Sequence, residues 1–300
     1  MSIMFKSDDA RAVIEGAYER FRATIPGTTS SRIVPTRHGE THVLVAGRAD
    51  APPLVLLHGA LASSAHATAE LGPLLERHCV YAPDVLGQSV KSADARPSLD
   101  GPAYAEWLVD VLDGLKLANP IVYGVSWGGF AALKLAAFAP SRIDKLVLLV
   151  PAGVVNGSFW QGFTQMVLPL ALYRMSPSEA RLRRFVGGLL TTLDDDWVTY
   201  FGEALRSYNL DIRKPPLFSP ESFAEFKRPT LVFGAEQDVS FPGRPLLSRI
   251  NVLIPHAETE LLEGSRHAPP TNDAFRRRMA ERITRFVARD LEACAGQYAQ

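Results

Sequence analysis

The chain has 300 residues, 47% of them apolar and 21% charged, and its 32 basic and 32 acidic side chains cancel to a formal net charge of +0. That is the composition of an ordinary soluble globular protein with a sizeable core, and it gives no electrostatic footprint for nucleic acid or an anionic membrane. Two cysteines, Cys79 and Cys294, make neither a disulfide framework nor a metal site. Residues 1–9 lack a secretory pattern and no apolar run has the length of a membrane span, so the expected location is the cytoplasm.

Along the chain, Val13, Ile14, Ala17, Tyr18 and Phe21 recur at helical spacing and predict an amphipathic helix over 8–24. Residues 32–37 and 41–46 predict a hairpin joined near His38-Gly39-Glu40. The wholly apolar run Leu54-Val55-Leu56-Leu57 predicts a strand covered on both faces. A helix over 65–77, a strand at 80–82, and a helix with Tyr104, Leu108, Val111, Leu112 and Leu115 on its apolar face follow. Ile121–Tyr123 and Leu146–Val150 predict two further strands. This alternation implies a mostly parallel, doubly wound α/β sheet.

The rhythm breaks after Pro151. Residues 152–224 predict helices only (159–173, 178–190 and 194–208), and Pro215, Pro216 and Pro220 punctuate the end of the stretch. Strands return at 230–233 and 258–262, and a helix over 272–294 closes the chain. The expected organisation is a core in two parts, 1–151 and 225–300, interrupted by a helical cap at 152–224. Asp194-Asp195-Asp196 reads as a helix N-terminus, where negative charge is favourable, rather than as a metal site. Arg276-Arg277-Arg278 reads as a solvated helix face. No phosphate-cradling loop or dinucleotide fingerprint stands in a suitable context, and neither a metal nor a cofactor is expected.

The segment that carries chemistry is Gly124-Val125-Ser126-Trp127-Gly128, set between an apolar strand and the helix-like run 129–137. In that context G-x-S-x-G reads as a nucleophile elbow, a sharp turn that lifts the serine hydroxyl above the sheet. A serine needs a base, an acid to orient the base, and donors for the oxyanion. Of seven histidines only His256 and His267 follow the serine. His256 precedes the last strand and falls at its amino end. His267 follows that strand, at the carboxyl edge where ligand sites gather, and is the expected base. Asp238, after the 230–233 strand, is the expected acid, with Glu236 as the alternative. The backbone N–H groups of Trp127 and Ala60 are the expected oxyanion donors. His58 reads as a structural hydrogen-bonding residue. Leu61, Phe159, Trp160 and Phe163 are expected to line a largely apolar substrate pocket.

Taken together, His58-Gly59 after one strand, Asp84-Val85-Leu86-Gly87 after the next, the Ser126 elbow and the Asp238…His267 pair resemble the α/β-hydrolase fold, in its esterase and lipase-like branch with a helical cap. The resemblance spans about residues 32–287. Where the family often shows D-x-x-G-x-G-x-S, this chain reads Asp84-Val85-Leu86-Gly87-Gln88-Ser89-Val90-Lys91-Ser92, with the second glycine displaced. Dehalogenases and epoxide hydrolases of this fold carry aspartate at the elbow, so the serine points to acyl transfer to water. The resemblance implies a serine hydrolase of the carboxylesterase type (EC 3.1.1) acting on small esters with a mainly hydrophobic acyl or alcohol group. C–C bond hydrolysis, lactone or thioester cleavage and perhydrolysis share the same triad, and a ligand receptor on the same fold is the reading from another class. The partner expected is a small-molecule ester, not nucleic acid, and a homodimer is left open.

Overall fold

The apolar runs that read as strands assemble into one eight-stranded sheet, ordered β1-β2-β4-β3-β5-β6-β7-β8, in a computed structural model that describes residues 2–88 and 90–297. The strands are β1 (Ser30–Val34), β2 (Thr41–Gly47), β3 (Pro53–Leu57), β4 (Cys79–Pro83), β5 (Ile121–Val125), β6 (Leu146–Leu149), β7 (Thr230–Ala235) and β8 (Glu258–Leu262). The β1–β2 and β2–β4 pairs are antiparallel and every later pair is parallel. Every residue of β6 and β7 is buried, as a strand covered on both faces requires, whereas the edge strand β1 exposes four of its five residues.

Alternation along each strand divides the core in two. Leu54, Leu56, Tyr123, Val147 and Leu149 face one way, under α1 (Asp8–Ala23), α2 (Ser64–Ala69) and the C-terminal α10 (Asp273–Gln297). Val55, Leu57, Val122, Leu146 and Leu148 face the other, under α3 (Ala103–Gly114), α4 (Trp127–Phe138) and α9 (Gly243–Leu253). Between β6 and β7 lie only helices: α5 (Phe159–Gly162), α6 (Leu168–Met175), α7 (Glu179–Val186) and α8 (Asp195–Ser207). A π-helical turn over Phe163–Val167 joins α5 to α6. Tyr173, Leu182, Phe185, Val186 and Val198 give these helices an apolar cluster of their own. Asp194 caps α8, its side chain accepting from the Asp196 N–H.

Several expectations change. The first strand is Ser30–Val34 rather than 32–37, because Pro35 offers no N–H to extend the ladder. The helix expected over 65–77 stops at Ala69, and after Gly72, at φ +28°, the chain makes a short 3₁₀ turn over Gly72–Leu74. Helix α9, unforeseen, joins β7 to β8. Phe218, Phe223 and Phe226, at the end of the helical stretch, pack into the α3/α4 side of the core. Among the described residues no helix is long and apolar enough to cross a membrane. Ser89 lies outside the described residues, as does the side chain of Cys294.

Candidate active site

Strand β5 ends at Val125 and α4 begins at Trp127, which leaves Ser126 alone to reverse the chain at φ 51°, ψ −110°. A left-handed conformation is costly for a residue with a Cβ, by roughly 1–3 kcal/mol, and persists only where the surroundings impose it. They do so here. The Ser126 N–H donates to Leu149 O at 2.9 Å, and its carbonyl accepts from Phe130 N at 3.1 Å and Ala152 N at 3.0 Å. The flanking glycines are required by contact rather than by φ. A Cβ at Gly124 would sit 2.7 Å from Gly128 O, and one at Gly128 only 2.1 Å from Leu57 O.

The turn brings three residues distant in sequence into one hydrogen-bonded line. Ser126 Oγ is 2.9 Å from His267 Nε2, and His267 Nδ1 is 2.7 Å from Asp238 Oδ2. The other carboxylate oxygen, Oδ1, accepts from the backbone N–H groups of Ser240 at 2.8 Å and Phe241 at 3.1 Å, so the loop after β7 fixes the Asp238 rotamer. Burial works against a charged His267, but the Asp238 charge and hydrogen bond outweigh it and raise the imidazole pKa above its ordinary 6.5. Glu236, the alternative acid, is elsewhere: it pairs with Arg244 and accepts from Gly264 N–H, which secures the turn after β8. His256 is also elsewhere, exposed and 3.0 Å from Arg228 O.

The loop after β3 approaches the serine from the other side. A Cβ at Gly59 would lie 3.3 Å from Ser126 Cβ, so glycine permits the approach. Ala60 lines the same cavity as Ser126 and Trp127. Trp127 opens α4, where a backbone N–H has no acceptor within the helix. Leu61, at φ 57°, carries the loop's strain, and its carbonyl accepts from the Tyr200 hydroxyl of α8. His58 is fully buried; its Nδ1 lies 2.8 Å from Gly59 O, and its Nε2 accepts from Val85 N–H at 2.9 Å. It therefore ties two loops together. The displaced glycine after Asp84 leaves that segment anchored: Asp84 is buried and accepts from the N–H groups of Ser64 at 2.7 Å and Lys91 at 3.3 Å.

Ser126 and His267 open into a cavity of about 870 Å³. Leu61, Phe159 and Phe163 line it as expected, together with Gly162 and Met166 on the same helix face. Trp160 is a correction. It is 71% exposed and lies outside the lining, stacking edge-on against Phe159 and Phe163. Successive helix positions point about 100° apart, and Phe159, Phe163 and Met166, spaced by three and four, turn toward the cavity while Trp160 turns away. Arg276 is a second correction. Its neighbours Arg277 and Arg278 are exposed, but Arg276 lines the cavity and forms a two-pronged ion pair with Glu70 at 3.0 and 2.9 Å. Thr191 was also missed. Its hydroxyl accepts from Arg266 N–H at 2.8 Å and donates to Ala268 O at 2.7 Å, and so brackets His267. No motif signals such a contact across 75 residues.

The chain belongs to the alpha/beta hydrolase fold family, whose sequence model matches residues 52–271. Two similar proteins are both from Bacillus subtilis (strain 168). One, described as an uncharacterized carboxylesterase, nap, is 28% identical over 253 residues, covering 81% of this chain and 82% of the relative. The other, the carboxylesterase YbfK, is 25% identical over 272 residues, covering 89% and 91%. Among solved structures, the naproxen esterase (carboxylesterase NP) of Bacillus subtilis superposes with a TM-score of 0.79 at 25% identity, over 93% of this chain and 98% of that one.

Proposed function

We propose that this protein is a carboxylesterase working through an acyl-enzyme, with Ser126 as nucleophile, His267 as proton carrier and Asp238 as the acid that orients it. The observation that carries the reading is the unbroken line Ser126 Oγ, His267 Nε2, His267 Nδ1, Asp238 Oδ2, with spacings of 2.9 and 2.7 Å, at the wall of a largely apolar cavity. Similarity to named carboxylesterases supports the choice of ester as the bond cleaved.

In the first half-reaction Ser126 Oγ forms a bond to the ester carbonyl carbon while its proton passes to His267 Nε2. Asp238 accepts the Nδ1 hydrogen bond, which selects the tautomer with a free Nε2 lone pair and stabilises the imidazolium that results. The carbonyl oxygen takes up negative charge, held by the N–H groups of Ala60 and Trp127. Collapse breaks the bond to the alcohol oxygen, which leaves with the proton from Nε2. Water then repeats the sequence on the acyl-serine: it gives a proton to His267, adds to the carbonyl carbon, and releases the carboxylic acid as Ser126 recovers its hydrogen. Residues 152–224 act as a cap that contributes Phe159 and Phe163 to the pocket, and the apolar lining favours hydrophobic acyl or alcohol groups.

The test is hydrolysis of short-chain p-nitrophenyl esters by wild type and Ser126→Ala. Loss of the nucleophile should lower kcat by roughly 10⁴-fold or more. Equal rates in the two proteins would overturn the reading, and a parallel panel of lactones and thioesters would reveal a different preferred bond.

A further inference from the structure

The cavity is not apolar throughout. It extends from Ser126 along the sheet face that carries Leu56, Tyr123 and Leu149, beneath α2 and α10. Tyr123 lies three residues before Ser126, so its backbone is about 10 Å below the nucleophile at roughly 3.3 Å per strand residue. The residue is 5% exposed and lines the cavity. Among the described residues nothing hydrogen-bonds its hydroxyl, and the Glu70 carboxylate lines the same cavity. A buried tyrosine hydroxyl normally finds a partner.

The lining of the same cavity is polar at Glu70 and Arg276. Glu70 Oε1 accepts from Arg276 Nη2 at 2.9 Å and from Trp197 Nε1 at 3.1 Å, and Oε2 accepts from Arg276 Nε at 3.0 Å. Carboxylate and guanidinium cancel, so the wall carries no net charge to offer a charged ligand. Arg276 Nη1 also faces Asp273 Oδ1 at 4.0 Å. A plain hydrocarbon chain filling this arm would seal the Tyr123 hydroxyl away from water unpaired, which is unfavourable. An oxygen atom at that depth would satisfy it. The arm suits the acyl side of the ester, because the alcohol must take its proton from His267 and depart while the acyl group stays on Ser126.

We propose that Tyr123, with the Glu70–Arg276 pair, is a recognition site for a neutral oxygen (hydroxyl, ether or keto) carried on a medium-length acyl chain. The proposal deepens the esterase reading and rests on it. The preferred substrates are then esters of oxygenated medium-chain acids rather than of plain fatty acids.

The experiment compares p-nitrophenyl 8-hydroxyoctanoate with p-nitrophenyl octanoate, using wild type and Tyr123→Phe, with a thermal melt of each protein. Wild type should favour the hydroxylated ester by roughly tenfold in kcat/KM. Tyr123→Phe should bring that ratio to about one or below. A wild-type ratio at or below one, or a folded Tyr123→Phe that keeps the preference, overturns the proposal. Turnover of neither ester would instead count against the esterase reading. Calorimetry with 8-hydroxyoctanoate and octanoate then decides the site on its own: about tenfold tighter binding of the hydroxy acid, lost in Tyr123→Phe, upholds it, and equal affinities overturn it.

Discussion

In the proposed mechanism His267 works as a base only when neutral, and Asp238 sets the pH at which that holds. Asp238 raises the imidazole pKa above 6.5, so the acid limb of kcat/KM should have its midpoint above that value, with activity lost as pH falls through it. Asp238→Asn removes the cause of the shift and the tautomer control together. Its midpoint should fall and its rate drop by roughly 10⁴-fold. Glu236→Gln is the matched control. It alters a carboxylate on the same loop that only secures a turn, and activity should stay within about threefold of wild type. A pH–rate profile for each protein checks all three expectations, and a larger loss in Glu236→Gln than in Asp238→Asn would reverse the assignment of the acid. The proposed serine, histidine and acid could be picked out in the sequence because each comes just after a segment that reads as a strand, and a parallel sheet gathers strand ends at one edge. Trp160 was misplaced because the aromatic cluster gave composition but not helical phase.

The elbow depends on β5 and α4 meeting without side chains between them. Gly128→Ala puts a methyl group 2.1 Å from the Leu57 carbonyl, and both neighbours are backbone that cannot swing aside. The cost should be roughly 3 kcal/mol or more, seen as a Tm lower by about 5–10 °C or as loss of soluble protein. Thr191 illustrates a different dependence. Thr191→Val removes both hydrogen bonds that bracket His267 while keeping the shape of the side chain. It should lower kcat by about tenfold with KM little changed, as expected when a base is held less firmly. An unchanged kcat would show that the loop is fixed by other contacts. The central strands β3, β5, β6 and β7 were legible because each is a short, mostly apolar run. Helix α9 was not, because its core contacts are few (Leu246, Ile250 and Leu253) and Pro242, Gly243 and Pro245 at its start read as a turn. The helix expected over 65–77 failed for the opposite reason: its apolar residues continue past Gly72-Pro73, where the backbone does not.

Across the whole molecule, burial pushes three of the seven histidines, His58, His66 and His78, below the ordinary imidazole pKa. His66 lies between Phe21 and Tyr200, ring centroids 4.1 and 3.9 Å away, and burial with the neighbouring His58 pushes its pKa down to about 3. Its folded pKa is below the unfolded one, so acidification lets the unfolded chain take up a proton that the folded chain refuses. Between pH 7 and 5 this should remove about 2 kcal/mol of stability. His66→Gln lacks that loss, and the Tm gap between wild type and variant should narrow by roughly 5 °C over the same range; a gap that stays constant would mean that His66 gains a proton without leaving its site. The helices α5–α8 have a further consequence at this scale. They depart after β6 and return before β7, downstream of the nucleophile and upstream of both its partners, so no strand of the sheet is interrupted. They and their flanking segments meet the loops of the reacting groups at Tyr200 on Leu61, at Leu189 and Thr191 on Ala268 and Arg266, and at Gly157 on Ser240, while Tyr200, Ala204 and Tyr208 pack into the core beneath the sheet. The inner face around Phe159 and Phe163, which none of these contacts uses, is therefore the part free to vary. Grafts that preserve those contacts and replace the inner face around Phe159 and Phe163 should retune which esters are accepted while acyl transfer itself survives, so that one scaffold can diversify from the lining of its roof.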